Sequence, residues 1–338
     1  MSYWTRRAEN RLLEAEEITE KVIRQNIRNY NRAMQDIRRE IDKIFETYST
    51  RTGVNYRDLK KLMSGNETKD FYKNIEKRIN AVTNDNVKTR LLMRQDAKAY
   101  KTRISRLEAI REEIYIRTKE LGSQEAQTAS NHLSNVTKET YNRSIYDTAK
   151  QRGVDFNFSK ISDTKMKELM RVRWSGSNYS ENIWNNTTKL ANKLNSTITR
   201  GFLVGKPQTA MVNEIREIFE VGKYEATRLI RTETNYFANQ GELLSYEEMG
   251  VEKYQFLATL DHRTSDICGQ IDGKRYKLDK AEVGVNYPPM HPNCRSTTAV
   301  PISDVKGLKR RAVDKDGKPI KVPINMTYKG WKKKHGIT

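Results

Sequence analysis

The sequence predicts a mainly α-helical protein that ends in a small α+β domain, and three observations carry that expectation. All seven prolines lie at or after Pro207, so the first 206 residues hold no helix-breaking ring. Apolar residues between Ile23 and Tyr48 recur at alternating spacings of four and three, the repeat of a helix with one buried seam. From Tyr254 the apolar positions fall at every second residue instead, the period of a half-buried strand.

Residues 1–122 read as an elongated, coiled-coil-like helical arm. Its seam is Ile23, Ile27, Tyr30, Met34, Ile37, Ile41, Ile44 and Tyr48. Gly53 and Gly65, each flanked by Asn, Ser or Thr, interrupt it. Ala97, Tyr100, Ile104, Leu107, Ile110 and Ile114 mark a second long helix, with Gly122 and Ser123 as its C-terminal stop. Such an arm either packs on itself as a hairpin or bundle, or docks on another subunit; a seam alone names no partner. Residues 123–205 form a helical middle region richer in Asn, Ser and Thr, where a loop carries Trp174 and Trp184 as aromatic anchors between helices. In residues 206–305, helices over 209–219 and 224–249 end at Gly250. Tyr254, Phe256, Ala258 and Leu260 then line one face of a strand, Asp272-Gly273 turns the chain, and 297–302 returns as a further short antiparallel strand. Residues 306–338 are a basic tail.

The length suits two or three domains. With 36% apolar and 31% charged residues the cores must be small, yet the chain is too periodic for disorder. The net charge of +20 points to a polyanionic partner, with double-stranded DNA ahead of RNA or an anionic membrane. That charge is uneven. Residues 206–305 hold 12 Lys/Arg against 15 Asp/Glu, the tail holds 11 against 2, and the remaining +14 sits in residues 1–205. The tail offers Lys309, Arg310 and Arg311, then Lys332, Lys333 and Lys334 with Tyr328 and Trp331 among them. Cations meet phosphates and aromatics stack on bases, so polyanion contact through the tail is the expectation, against a solvated tail serving solubility. The N-terminal residues lack the apolar core of a signal peptide, and no run of 18 apolar residues spans a membrane.

Both cysteines and two of the four histidines, His262 and His291, fall between residues 261 and 295. Two cysteines cannot build a disulfide framework, which favours a reducing cytoplasm. Cys268, His291 and Cys294 could supply two thiolates and an imidazole to tetrahedral zinc, with Asp261, His262 or Asp272 as a fourth ligand of no diagnostic spacing. A metal-free core of packed thiols is the competing reading, and a thiolate activated by His291 a third. On the helix before the strand, Arg231 and Glu233 are either part of an ordinary solvated face, or one of them, Arg231 or Glu233, reaches the 261–263 loop as a buried pair.

Several short blocks stand in order here: Arg231-Thr232-Glu233, Asp261-x-Arg263-Thr264-x3-Cys268, Asp272-Gly273, and Pro288-Pro289-x-His291-Pro292-x-Cys294-Arg295. Together they resemble the signature of the phage Mu F-like minor head proteins, also called head morphogenesis proteins, of tailed phages and prophages. With the segment holding Trp174 and Trp184, the likeness runs over about residues 165–303 and follows the type from phages of Gram-positive bacteria. The resemblance implies that Arg231, Glu233, Asp261, Arg263, Asp272, Gly273 and Arg295 are structural signature positions. It also implies a minor protein encoded beside the portal, made in a bacterial host and carried inside the head in few copies. Some members associate with portal protein, some bind DNA or leave with it at ejection, and other phage proteins fuse this domain to toxin enzymes. The expected function is therefore binding: portal or inner capsid at one surface, packaged DNA non-specifically at another. The rival is a metal-dependent nuclease or other enzyme on phage or host DNA. Against it stand the net acidic motif domain and the lack of paired acids suited to two metals.

Overall fold

The computed structural model describes residues 3–50, 53–54, 56–99, 104–152, 159–301, 309–314, 316–323 and 326–335, with the side chains of 3–5, 48–50, 53–54, 96–99, 152, 309–311 and 335 left out. Helices dominate. In chain order they are α1 (Tyr3–Tyr48), α2 (Tyr56–Leu59), α3 (Gly65–Asn80), α4 (Asp85–Ala99), α5 (Arg106–Arg152), α6 (Asp163–Arg171), α7 (Tyr179–Leu203), α8 (Gln208–Glu248), α9 (Asp266–Ile271) and α10 (Tyr328–His335). The strands are short: β1 (Ser49–Thr50), β2 (Gly53–Val54), β3 (Lys253–Leu257), β4 (Arg275–Lys277), β5 (Thr297–Ala299), β6 (Lys309–Val313) and β7 (Pro319–Pro323). No helix among the described residues is long and apolar enough to cross a membrane.

The chain forms two compact units, each assembled from segments far apart in sequence. One comprises Ile23–Ala129 and Tyr179–Thr227; the other comprises Met1–Val22, Ser130–Asn178 and Arg228–Thr338. In the first, the α1 seam is buried in an intrachain core: Tyr30, Ile37 and Ile41 pack with Ile114 of α5, Leu194 and Phe202 of α7, and Phe219 of α8. The α3–α4 hairpin adds Ile75, Ile79 and Leu91 against Ile116. Arg78 closes it by pairing with Glu113 and Glu120 at 2.6 and 2.9 Å.

Three helix limits differ from the expectation, each for a physical reason. Gly122 ends nothing, since α5 runs through it; a Cβ there would lie 2.7 Å from the Trp184 ring, so the glycine serves a close approach. Gly222 is likewise interior to one continuous α8, with the Tyr30 ring 2.9 Å from where its Cβ would stand. The expected helix through Ala97 and Ile114 is instead the end of α4 and the start of α5. The new start is a capping box: the Ser105 N–H donates to Glu108 at 2.9 Å and the Glu108 N–H to Ser105 Oγ at 3.2 Å. Trp184 sits on α7 rather than in the loop, and only Trp174 lies between helices. Gly250, at φ 59°, does follow the helix end as expected.

In the second unit β3 is the centre of an antiparallel sheet of order β4-β3-β5, with Tyr254 opposite Tyr276 and Phe256 opposite Thr298. The predicted inward face holds, because Tyr254, Phe256, Ala258 and Leu260 are all buried. The basic tail is not a solvated appendage where it is described. β6 and β7 pair as a hairpin, and α10 lays Trp331 and Tyr328 on Leu260, Ala312 and Val322.

Candidate functional site

The signature residues converge where the C-terminal end of β3, α9 and the 288–295 loop meet. Each is placed by local chemistry. Ser265 caps α9, its Oγ accepting the Cys268 N–H at 3.3 Å, and this directs Cys268 inward. The loop opens with a cis Pro288–Pro289 bond and turns at Asn293, which adopts φ 59° and donates its N–H to Thr232 Oγ1 at 2.9 Å. Asn suits that left-handed position because its short polar side chain tolerates it.

These constraints bring Cys268, His291 and Cys294 together, with their donor atoms all within 4.8 Å of one another. Cys268 Sγ stands 3.4 Å from His291 Nε2 and 3.8 Å from Cys294 Sγ. His291 Nδ1 lies 2.8 Å from the Pro292 carbonyl, which can only accept, so Nδ1 carries the proton and the Nε2 lone pair accepts from Ser265 Oγ at 2.8 Å, beside Cys268 Sγ. The pair of thiols is split: the hydrogen bond from Cys268 pushes Cys294 down to about 5, helped by backbone bonds from Met290 and Ser296. The same bond pushes Cys268 up. Both cysteines are only 2% exposed, which denies a substrate the approach a catalytic thiolate needs.

None of the three expected fourth ligands joins this cluster. Asp261 is claimed by Arg295, whose two guanidinium nitrogens donate at 2.5 and 2.6 Å. Burial pushes the Asp261 carboxyl up, but the bond and charge of Arg295 outweigh it and hold the group below its usual range. Asp272 is a buried brace that accepts the Ala258 N–H at 2.8 Å and the Tyr328 N–H at 3.0 Å. His262 Nε2 lies 2.9 Å from the Asp314 carbonyl. Gly273, at φ 78°, donates its N–H to the Phe256 carbonyl at 2.9 Å and so closes the turn.

Arg231 and Glu233 have other partners than the 261–263 loop. Arg231 reaches Glu20 at 2.7 Å, whereas Glu233 is buried and accepts the Trp174 indole N–H at 3.1 Å, beneath a Trp174–Tyr236 stack of 4.9 Å. Contacts that sequence reasoning missed hold the loop instead. Thr232 accepts from Asn293, and Asn235 and Asn239 donate to the Ser296 carbonyl at 3.0 and 3.2 Å. The signal was there: 232, 235 and 239 follow the three-and-four spacing of one helix face, a polar stripe on a buried helix. Beside the loop is a cavity of about 400 Å³ bordered by Arg231, Arg263, Arg295, Glu16 and His291. Burial pushes Glu16 up to about 7, against the pull of the three arginines.

The expected DNA contacts divide. Trp331 is fully buried, and its indole N–H donates to the Val313 carbonyl at 2.8 Å, so its ring has no face for a base and its assignment is corrected to core. Lys332, Lys333 and Lys334 lie on α10, the last two exposed. The side chains of Lys309, Arg310 and Arg311 lie outside the described residues.

Residues 192–299 match the family model of Phage Mu protein F like protein, so the chain carries a Mu F-like domain, the kind found in phage head morphogenesis proteins. The chain is also similar to the NAD(+)--arginine ADP-ribosyltransferase EFV of Enterococcus faecalis, at 24% identity over 139 residues. That stretch is 40% of this chain, and the chain spans 28% of the length of that relative. No solved structure matches.

Proposed function

We propose that this chain is a minor head protein of a tailed phage, which docks on portal or inner capsid and touches packaged DNA through basic surfaces. The Mu F-like domain over residues 192–299 carries the reading. The charge distribution supports the DNA half of it, since the net +20 lies wholly outside residues 206–305. The nuclease alternative is less well supported. Among the described residues, the group with metal-ligand spacing is two thiols and an imidazole, whereas magnesium-dependent cleavage uses carboxylates. The enzyme named for the relative is a property of that protein, and the shared stretch is 28% of it.

Mass spectrometry of purified virions, with cross-linking before disruption, tests the proposal. We expect the chain at low copy, cross-linked to portal or inner capsid protein. Virions rich in portal and capsid that lack this chain would overturn it.

A further inference from the structure

No disulfide joins the 288–295 loop to α9, yet three donor atoms from them lie within 4.8 Å of one another. We propose that Cys268 Sγ, His291 Nε2 and Cys294 Sγ bind one zinc ion, with a solvent molecule as fourth ligand, and that the ion ties α9 to the loop carrying Arg295. This goes beyond the head-protein reading and does not depend on it.

Geometry is the first argument. Zinc bonds of about 2.3 Å to sulfur and about 2.0–2.1 Å to nitrogen make tetrahedron edges of roughly 3.8 Å between sulfurs and roughly 3.5 Å from sulfur to nitrogen. Two of the three edges match, at 3.8 Å between the sulfurs and 3.4 Å from Cys268 Sγ to His291 Nε2, and the third, from His291 Nε2 to Cys294 Sγ, lies within 4.8 Å. A disulfide would need the sulfurs at about 2.05 Å, and both cysteines are free. Tautomer is the second argument. The Nδ1–H bond to the Pro292 carbonyl at 2.8 Å is the outer-shell contact that orients a ligating imidazole and leaves Nε2 as the donor. The donor set is the third: two thiolates and an imidazole select zinc over magnesium or calcium.

The solvent ligand follows from the neighbours. Asp261, Asp272 and His262 are held elsewhere, and among the described residues no further His, Cys, Asp or Glu joins the three. Ser265 Oγ donates to His291 Nε2 at 2.8 Å in the metal-free site; an ion taking that lone pair frees the hydroxyl to hydrogen-bond the solvent ligand. Both cysteines bind as thiolates, so acid competes with the ion and uptake weakens as pH falls. The role is structural: the ion cross-links α9 to the loop, and both sulfurs are too buried to meet a substrate.

The test uses the full chain, reduced and stripped with chelator, then titrated with cobalt(II). We expect one equivalent, a thiolate-to-cobalt charge-transfer band, the visible bands of tetrahedral cobalt, and displacement by zinc. Cys294→Ser and His291→Ala should lose those bands, whereas Ser265→Ala should weaken binding by about tenfold at most. The wild type alone also decides, in case those variants misfold: zinc should raise the melting temperature of the reduced, stripped protein and chelator should reverse that gain. Wild-type protein that takes up neither metal, contains a Cys268–Cys294 disulfide, or melts at the same temperature with and without zinc would overturn the proposal. Each of these outcomes leaves the virion result unaffected.

Discussion

Glu233 is 1% exposed and has the Trp174 indole as its hydrogen-bond partner, so its charged form has little to stabilise it. Burial pushes its carboxyl up to about 7, above the ordinary 4.5. The fold therefore favours the neutral acid, and this stabilisation is complete below about pH 4.5 and lost as pH rises through about 7. Glu233→Gln should leave stability near pH 5 little changed and raise it at pH 8 by about 1–3 kcal/mol. Thermal melts of both proteins across that range check this, and parallel profiles would refute it. Glu16 and Glu125, also pushed up to about 7 by burial, keep some slope in the variant. Gly122 offers a second residue-scale test. An alanine in a helix interior normally stabilises by roughly 1 kcal/mol over glycine. Here its Cβ would meet the Trp184 ring at 2.7 Å and Thr187 Oγ1 at 3.0 Å, so Gly122→Ala should instead cost about 1–3 kcal/mol. A raised melting temperature would show that α5 and α7 do not pack so closely.

At the scale of elements, the C-terminal hairpin and α10 have changed meaning between sequence and structure. The aromatic among the lysines is a core residue: Trp331 stacks on Tyr328 at 5.4 Å, and Tyr328 donates its backbone N–H to Asp272. Trp331→Ala should cost about 3–5 kcal/mol, read as a lower melting midpoint. Replacing Lys333 and Lys334 by Glu should leave that midpoint nearly unchanged, because both are exposed. If both variants melt alike, α10 does not brace the sheet. By the same reasoning, removing residues 306–338 would expose Leu260, so the tail is not dispensable for folding of the α+β unit.

For the whole molecule, a net charge of +20 predicts DNA binding that is independent of sequence and weakens steeply with salt, through counterion release from phosphates. Mobility shifts on unrelated duplexes should give the same affinity at a given salt, with log affinity falling linearly against log salt. The Lys333/Lys334 variant should lower that slope by roughly one for each phosphate it no longer neutralises. Affinity that survives high salt or discriminates between duplexes would contradict the basic-surface reading.

Much was legible before any coordinates. The period of four and three between Ile23 and Ile44, the period of two from Tyr254 to Leu260, and the Asp272-Gly273 turn are local patterns, and local patterns survive folding because they report one buried face. The cluster of Cys268, His291 and Cys294 was also legible, since one short segment carries all three. What the sequence could not decide were questions whose answers lie across the chain. A glycine in a helical stretch is a stop or a close approach, and only Trp184 against Gly122 and Tyr30 against Gly222 settle which. An acid near a metal motif is a ligand or a brace, and the guanidinium of Arg295 and the amides of Ala258 and Tyr328 make braces of Asp261 and Asp272. A tryptophan among lysines stacks on bases or fills a core, and Leu260, far upstream in the chain, makes Trp331 core. The sequence by itself determined which residues prefer burial and with what period; tertiary structure alone decided what each is buried against, because contact partners are set by the path of the whole chain.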